Sequence, residues 1–479
     1  MAAIPAITIR DVSEAIIQGV DPSILPRNSV YLAVNLDFHS RIGSMVVRDG
    51  TTQVGSQVTD GMACLGLHNH ITGSGTKVPL AVFNASGGAT AVLSKFTAAA
   101  WSSAQTGLTA DAKVRFVTFL GTTALLQAGN ATQYSSANGS TWVSTGGNLD
   151  IANIPDGSLA EEFKDRVFVA GVSGNLDRLY YSSVASGGTI SWTAGNGFID
   201  IEPEEGAGPI TALSKVPGYL LIFKERSMKR WDSKSTFPES MVTIGAPSQE
   251  AVVKTKVSVY YFNKRGIYET TGGYPRRISR RIQDIIAAVP ASYYSSVSGW
   301  GDGESVYFSL GDITIDGLTI SNCVVRYYIE SQTWTTYSYP NEFKRWNVYV
   351  DSNGDDTVMA GDDDGNVWLV GSGTIDGTAT IKWTVQYQNQ ECGFPEQVKT
   401  ISEVTVLAEK VSNGTLWART LRNGGDFDVI GNVAGYVSEI KQSHGGNTIE
   451  YRMSGESASG SAIISLQMRQ IDVALSQTT

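Results

Sequence analysis

The chain has 479 residues, which allows about two to four domains or one large all-β unit. Lysine and arginine total 36 against 46 aspartates and glutamates, so the net charge is −10, and this balance argues against a protein built mainly to wrap nucleic acid. Charged residues make up only 17% of the chain and there are 51 glycines, a composition typical of a turn-rich globular protein rather than a disordered one.

The three cysteines, Cys64, Cys323 and Cys392, are widely spaced and form no C-x-x-C motif, so they indicate neither a disulfide framework nor a zinc site. The first residues lack the basic and apolar regions of a secretory leader, and no apolar run reaches the roughly 18 residues of a membrane-spanning helix. We therefore expect a soluble protein with buried free thiols, no membrane span and no cofactor, synthesised in the cytosol.

Taken in chain order, the sequence is divided by Asn-Gly and Asp-Gly pairs, which favour tight hairpin turns because Asn, Asp and Gly tolerate positive φ. Short runs rich in β-branched and aromatic residues lie between these pairs and have the length of strands. Helical periodicity is limited to about Val12–Ile17, Ser158–Lys164 and Arg281–Val289. The pattern predicts a mostly antiparallel all-β protein.

The strand runs group into units of roughly 35 to 50 residues that start near residues 60, 111, 155, 208, 250, 293 and 343, a spacing typical of β-propeller blades. Several units contain a tryptophan after a turn, as at Trp142, Trp192, Trp334 and Trp368, where we expect it to cover a blade. We predict a propeller of six to eight blades; a pair of β-sandwiches is the alternative.

Three regions follow from this interpretation. Residues 1–58 are predicted to form an N-terminal arm or closing strands, and residues 59–380 the propeller. Residues 381–479 have longer alternating runs, which indicate either a C-terminal β-sandwich-like domain or strands that close the ring.

Several groups of polar residues are candidates for metal binding or catalysis. His68 and His70 would face the same side of a strand, but no third ligand is visible nearby. Acidic turns at Asp351–Asp356 and Gly361–Asn366 have oxygen ligands at calcium-like spacing without the full loop. Glu202, Glu204 and Glu205 could pair for acid–base chemistry. In each case we favour a structural or exposed turn, and we predict no metal site.

Residues Ser135–Trp142 resemble the aspartate box of sialidase-type propellers through Ser135, Gly139, Thr141 and Trp142. The defining aspartate is replaced by Ala137, and no other unit repeats the motif. No nucleophile elbow, zinc-protease motif or phosphate-binding loop occurs either. We therefore predict no catalytic residue and no enzymatic activity.

The strongest local charge is an arginine segment, Arg276, Arg277, Arg280 and Arg281, in a chain that is otherwise acidic. Guanidinium groups suit contact with phosphate and with the carboxylates of a neighbouring subunit. These four arginines are the candidate interface or phosphate-contact residues; a solvated turn before the predicted helix is the alternative.

Three segments resemble the β-propeller tail nozzle, or tail-hub, proteins of short-tailed bacteriophages. They are ITALSKVPGYLLIFKERSMKRWD at 210–232, VYYFNKRGIYETTGGYPRRISRRIQDII at 259–286, and VNLDFHSRIGSMVVRDGTTQVG at 34–55. Together they cover about a fifth of the chain, and none of them is a catalytic signature.

The resemblance implies a structural virion protein, made in the host cytoplasm, that assembles as a ring of six copies beneath the portal and its adaptor ring. Its partners would be copies of itself, the portal–adaptor ring, other tail proteins and, transiently, the exiting DNA. Two other functions remain open. One is a tail-associated propeller that binds or cleaves glycans, since ten tryptophans and twenty tyrosines could stack on sugars. The other is a monomeric cellular scaffold.

Overall fold

Seven small antiparallel sheets form a closed ring in the computed structural model. The structure describes residues 2–4, 7–9, 11–20, 26, 28–40, 43–59, 62–127, 132–201, 208–350, 356–390, 398–411, 413–420, 425–446, 448–457 and 459–473. The first strand of each sheet lies beside the first strand of the next, and the seventh lies beside the first. This arrangement is a seven-bladed β-propeller, and it confirms the predicted all-β propeller class.

Six short strands precede the ring. They are β1 (Ala2–Ile4), β2 (Ile7–Ile9), β3 (Val30–Val34), β4 (Leu36–Asp37), β5 (Met45–Val47) and β6 (Thr51–Gln53).

The first four blades begin shortly after the first four predicted unit starts. Blade 1 consists of β7 (Cys64–Ile71), β8 (Lys77–Asn84), β9 (Ala91–Thr97) and β10 (Ala100–Leu108); blade 2 of β11 (Val114–Phe119), β12 (Thr122–Gln127) and β13 (Tyr134–Ser136); blade 3 of β14 (Leu159–Phe163), β15 (Arg166–Ala170), β16 (Arg178–Tyr181) and β17 (Gly197–Asp200); and blade 4 of β18 (Ile210–Val216), β19 (Tyr219–Lys224), β20 (Met228–Trp231) and β21 (Glu239–Val242).

The last three blades follow the same pattern. Blade 5 consists of β22 (Val252–Lys254), β23 (Val259–Asn263), β24 (Gly266–Thr270) and β25 (Arg276–Arg277); blade 6 of β26 (Ser298–Gly301), β27 (Ser305–Ile315), β28 (Leu318–Tyr328) and β29 (Thr333–Ser338); and blade 7 of β30 (Arg345–Val350), β31 (Asp356–Gly361), β32 (Val367–Val370) and, as its outermost strand, β6.

The ring is closed by β6, which pairs antiparallel with β32 and supplies the fourth strand of blade 7. Just before β6, the buried Arg48 pairs with the buried Asp376 at 2.7 Å. Its guanidinium also stacks on Tyr339, 4.1 Å from the ring centroid. Residues from the two ends of the propeller sequence are therefore joined both by a β-ladder and by a buried ion pair.

The remaining strands form two larger sheets beside the propeller. They are β33 (Ile381–Tyr387), β34 (Lys399–Glu409), β35 (Asn413–Arg419), β36 (Asp428–Val433), β37 (Val437–Ile440), β38 (His444–Gly446), β39 (Glu450–Ser457) and β40 (Ala462–Val473).

The two sheets share one hydrophobic core, to which both contribute alternate residues such as Val404 and Val406 from one sheet and Tyr451 and Met453 from the other. One sheet continues blade 6 in the order β29-β3-β33-β39-β35-β36, with β3 parallel to β29. The other has the order β37-β34-β40-β5-β4, with β1 and β2 on β40 and β38 on β34. The N-terminal strands are thus built into both the sandwich and the ring.

The β27–β28 hairpin of blade 6 is unusually long, and its tip reaches the sandwich. There Asp316 accepts two hydrogen bonds of 2.8 Å from Arg419 and one of 2.7 Å from Gln386. Burial alone would raise the pKa of this carboxyl group, but these hydrogen bonds outweigh it and hold the pKa below its ordinary value. The hairpin therefore links the propeller to the sandwich at a second point.

Of the three segments predicted to be helical, one contains a helix. Arg281–Val289 contains α1 (Gln283–Ala287), preceded by a 3₁₀ helix at Ser279–Ile282; two further 3₁₀ helices span Ile151–Asn153 and Ala291–Ser296. In the part of the chain that the structure covers, no helix is long and apolar enough to cross a membrane.

The other two helix predictions are wrong. Ser158–Lys164 contains β14, an inner propeller strand whose two faces both pack against neighbouring blades. Buried and exposed residues therefore do not alternate along it as they do in a strand with one solvent-exposed face. Val12–Ile17 is not helical because Ala15 has a positive φ of 53° and Ile17 N donates to Val30 O.

Candidate functional site

The centre of the ring holds a narrow axial channel. It is a cavity of about 310 Å³ lined by residues at the first strands of all seven blades. Parallel inner strands bring side chains together here that lie more than a hundred residues apart in the sequence. The charged groups among them are Arg115, Glu161, Glu250, Lys254, Lys344 and Arg345.

Glu250 is the most buried carboxylate of the channel, with only 6% of its side chain exposed. It pairs with Arg115 at 2.6 Å and with Lys113 at 3.3 Å. Burial favours the neutral acid, but the neighbouring cations outweigh it and hold the pKa of Glu250 well below its ordinary range. The carboxylate is therefore ionised and serves two cations at once.

A second group of charges lies farther along the same strands. Glu161 forms an ion pair with Lys254 at 2.8 Å and lies 3.8 Å from Lys215, which also pairs with Glu162. Burial lowers the pKa of Lys215 despite the favourable charge of Glu161. A separate, wider cleft of about 630 Å³ shares Lys254 with the channel and is also lined by Lys164, Lys215 and Lys256.

Arg345 differs from the other channel cations because it has no carboxylate partner among the described residues. Its Nε donates to the backbone oxygen of Leu65 at 3.0 Å, and its Nη1 donates to that of Lys344 at 2.7 Å. Lys344 itself pairs with Glu342 at 2.5 Å. Arg345 thus brings to the axis a positive charge that acts on Glu250 without a direct ion pair.

Sequence reasoning missed these axial residues. Their positions are set by the ring rather than by any local motif, since Arg115 and Glu250 are 135 residues apart. A signal was nevertheless present, because charged residues in the first strand of a blade unit point toward an axis where water is scarce.

The arginine segment is held mainly within the chain. Arg276 donates to Glu269 at 2.7 Å, and Arg281 pairs with Glu14 at 2.9 Å. Arg277 is half-buried, and its Nε has no hydrogen-bond partner among the described residues. Arg280 is exposed. The structure therefore brings two of the four arginines into internal ion pairs, and the interface or phosphate role of the segment stays a prediction.

The arginine segment also anchors the N-terminal residues to blade 5. Gln18 N donates to Arg281 O at 2.9 Å, and the Tyr31 hydroxyl donates to Asp284 at 3.1 Å. These contacts give the segment a structural role that its charge pattern did not indicate.

The two histidines of β7 lie in the interface between blades 1 and 2. His68 contacts the Thr118 hydroxyl at 3.0 Å and stacks on Phe116, and His70 contacts the Thr123 hydroxyl at 2.7 Å. Among the described residues, no group of three or more His, Cys, Asp or Glu is placed to hold a metal ion. Cys64 and Cys323 are buried free thiols, and Cys392 lies outside the described residues.

Asp362, in the second acidic turn, is fully buried and its carboxylate is saturated by protein donors. It accepts hydrogen bonds from Trp368 Nε1 at 2.7 Å, Asn341 Nδ2 at 2.6 Å and the Asn366 backbone at 2.7 Å. The carboxylate thus ties the turn to the neighbouring tryptophan. Of the first acidic turn, Asp351–Asp356, the structure describes Asp356 alone, and Glu202, Glu204 and Glu205 lie outside the described residues.

The turn at Ser135–Trp142 is also structural. Asn138 Oδ1 accepts hydrogen bonds of 2.8 Å from the backbone of Ser140 and Thr141, so the asparagine organises the turn. Trp142 is buried and its Nε1 donates to Gly139 O at 3.3 Å.

An aromatic groove runs along the outer parts of blades 3 and 4 and has a volume of about 560 Å³. Phe198 and Phe237 are 52% and 68% exposed at its rim. The groove is lined by Arg166, Tyr181, Phe198, Asp200, Trp231 and Phe237. Tyr274 of blade 5 is also largely exposed, at 79%.

A second exposed apolar surface lies on the sandwich, where the chain passes from β36 in one sheet to β37 in the other. This sandwich patch consists of Val429, Tyr436 and Val437, each at least half exposed. Among the described strands, β36 pairs only with β35 and β37 only with β34, so the patch borders two open sheet edges.

No protein-family model and no curated protein sequence matches the chain. Among solved structures, similarity is found to YCF48 bound to a D1 peptide, with 12% identity, a TM-score of 0.40, and coverage of 66% of this chain and 93% of that one. Virginiamycin B lyase from Staphylococcus aureus gives 11% identity, a TM-score of 0.42, and coverage of 67% and 97%.

An exo-β-1,3-galactanase from Phanerochaete chrysosporium gives 11% identity and a TM-score of 0.25, over 76% of this chain and 97% of that one. Identities and TM-scores this low do not indicate what this chain binds or does.

Proposed function

We propose that the chain is a structural subunit of the tail nozzle, or tail hub, of a short-tailed bacteriophage and that it assembles with copies of itself into a ring below the portal and adaptor. The proposal rests on the three segments that resemble this family. They form β18 to β20 of blade 4, most of blade 5 with most of α1, and the strands β4 to β6. The role is structural rather than catalytic.

The observation that carries ring assembly is a pair of unlike exposed apolar surfaces on one subunit. A ring built by rotation needs a heterologous interface, in which two different surfaces of the same chain meet. The aromatic groove supplies one surface, and the sandwich patch supplies the other. Exposed apolar patches of this kind mark interaction surfaces.

The axial channel of the propeller is not the genome passage in this proposal. A cavity of about 310 Å³ crossed by ion pairs has no room for a nucleic-acid strand. The passage lies instead between the subunits of a ring of six. The net charge of −10 suits such a passage, because an acidic wall does not retain phosphate by counterion release.

The mass of the purified chain by light scattering tests the proposal, alone and with the portal–adaptor complex. We expect rings, and we expect the double variants F198S/F237S and Y436S/V437S each to abolish them. The control is Ile71→Ser, which removes an exposed apolar residue of blade 1 outside both surfaces. A wild-type chain that stays monomeric in both conditions would contradict the proposal.

A second candidate function, glycan binding, is favoured by the aromatic groove. Aromatic rings beside an arginine and an aspartate are the groups that stack on sugar rings and bond their hydroxyls. Phe198, Phe237 and Asp200 are all accessible there.

Saturation-transfer NMR with host-surface oligosaccharides tests this function. Binding that is lost in Phe198→Ser and retained in Y436S/V437S supports a glycan site. Rings without saturable glycan binding leave the groove as a subunit interface only.

A further inference from the structure

The axial channel carries more positive than negative charge. Four cations, Arg115, Lys254, Lys344 and Arg345, and two carboxylates, Glu161 and Glu250, line the cavity. The surplus is two positive charges inside a chain whose net charge is −10. Collecting cations in a narrow, partly desolvated space costs free energy unless an anion compensates them.

Two guanidinium groups in the channel also have unused donors. Arg345 Nη2 has no hydrogen-bond partner among the described residues, since only Nε and Nη1 contact backbone oxygens. Arg115 Nε is buried and likewise lacks a partner in that part of the chain. Buried donors without a partner are rare in folded proteins, so Arg115 Nε indicates a missing acceptor beside the cavity, and Arg345 Nη2, on a half-buried side chain, is free to donate to the same acceptor.

These two arginines come from blades 7 and 2 and flank the first strand of blade 1. Burial lowers the pKa of Arg115, and the charge of Arg345 contributes to the same shift, so the two guanidinium groups act on each other. Glu250 interacts with both guanidinium groups and is also shared with Lys113, so one carboxylate faces three cations. The cavity between them holds about 310 Å³, enough for a small ligand.

We infer that the axial channel binds a small anion that carries a phosphate or carboxylate group, held by Arg345 and Arg115 with Lys254 nearby. The planar fork of a guanidinium matches both groups, which accept two parallel hydrogen bonds from it. Because its residues come from opposite ends of the ring sequence, the site exists only when the propeller is closed. This inference does not depend on the proposed tail function.

Isothermal titration with inorganic phosphate, and separately with citrate, at constant ionic strength tests the inference. We expect saturable binding of at least one probe, weakened at least tenfold in Arg345→Gln. Arg280→Gln is the matched control, since it removes an exposed arginine of the arginine segment and leaves the channel intact. The probe that binds identifies the group.

Absence of saturable binding of both probes would overturn the inference, and so would binding that Arg345→Gln retains or that Arg280→Gln abolishes. A second measurement needs no variant, in case Arg345→Gln does not fold. Phenylglyoxal modifies accessible arginines, and we expect the bound probe to protect Arg345 but not Arg280 in the wild-type chain. Equal modification of Arg345 with and without the probe would likewise contradict an axial site.

Discussion

The guanidinium of Arg48 uses all five of its N–H groups. It donates to both carboxylate oxygens of Asp376, to Asn35 Oδ1, and to the backbone oxygens of Asp49 and Ser338, at 2.7 to 2.9 Å. Such complete pairing makes a buried charge tolerable in the protein interior. Removing one partner leaves the other charge buried and uncompensated.

We expect Asp376→Asn to lower the free energy of unfolding by about 3 to 5 kcal/mol, because Arg48 then lacks a counter-charge. Chemical denaturation measures the effect. The control is Lys382→Ala, whose exposed ion pair with Glu456 at 3.6 Å should contribute about 0 to 1 kcal/mol. Equal effects of the two substitutions would refute the structural role of the buried pair.

The buried His68 makes the stability of the folded state depend on pH. Burial, with a smaller effect of His70, lowers its pKa from 6.5 to about 3. The folded state therefore binds fewer protons than the unfolded state below pH 6.5, so the stability contributed by neutral His68 is lost as the pH falls from 6.5 toward 3.

We expect the free energy of unfolding of the wild-type chain to fall between pH 7 and pH 5, and His68→Gln to reduce that slope. Phe116→Leu is a control, since it removes the stacking partner but keeps the histidine. Identical slopes in the wild-type chain and His68→Gln would show that His68 is not the titrating group.

At the scale of elements, the β27–β28 hairpin fixes the sandwich against the propeller. Its tip, Asp316, is bound by Arg419 and Gln386, and Arg452 Nη2 donates to its backbone oxygen at 3.0 Å. The continuous sheet from blade 6 through β3 provides the other connection. Two connections of different kinds restrict hinge motion between the domains more than either would alone.

We expect Asp316→Ala to lower the free energy of unfolding by about 1.5 to 3 kcal/mol, because Arg419 and Arg452 lose charged hydrogen-bond acceptors at a half-buried site where Glu450 is the remaining carboxylate partner among the described residues. Hydrogen exchange should accelerate in β33 and β35 while the blade 3 strands stay protected. Asp200→Ala, which breaks the exposed pair with Arg178, is the control. Uniform acceleration across all blades would mean that the hairpin tip does not act locally.

Element boundaries were predictable where turn chemistry sets them. Asx-Gly pairs and the recurring tryptophans gave unit starts close to the first strand of every blade. The error at Ser158–Lys164 has a physical cause, because Leu159, Ala160 and Phe163 are buried at a spacing that a helix would also produce. Contacts with the neighbouring blades override that local pattern.

At the scale of the whole molecule, closure of the ring brings together residues that no sequence pattern identifies as a site. Glu250, Arg115 and Arg345 meet on an axis that exists only after the ring of seven blades has closed, so no local sequence motif indicates them. The arginine segment shows the opposite case. Its charge was evident, but its internal partners, Glu269 and Glu14, come from another strand and from the distant N-terminal residues.

The pairing of β6 with β32 also sets an order of events during synthesis. Residues 51–53 leave the ribosome before residues 367–370, and at about 5 to 20 residues per second the interval is roughly 15 to 60 s. Throughout that time β6 has no partner strand, and six blades can form while the seventh cannot. Closure of the ring is thus a late step in the synthesis and folding of each molecule, and the axial channel is completed only then.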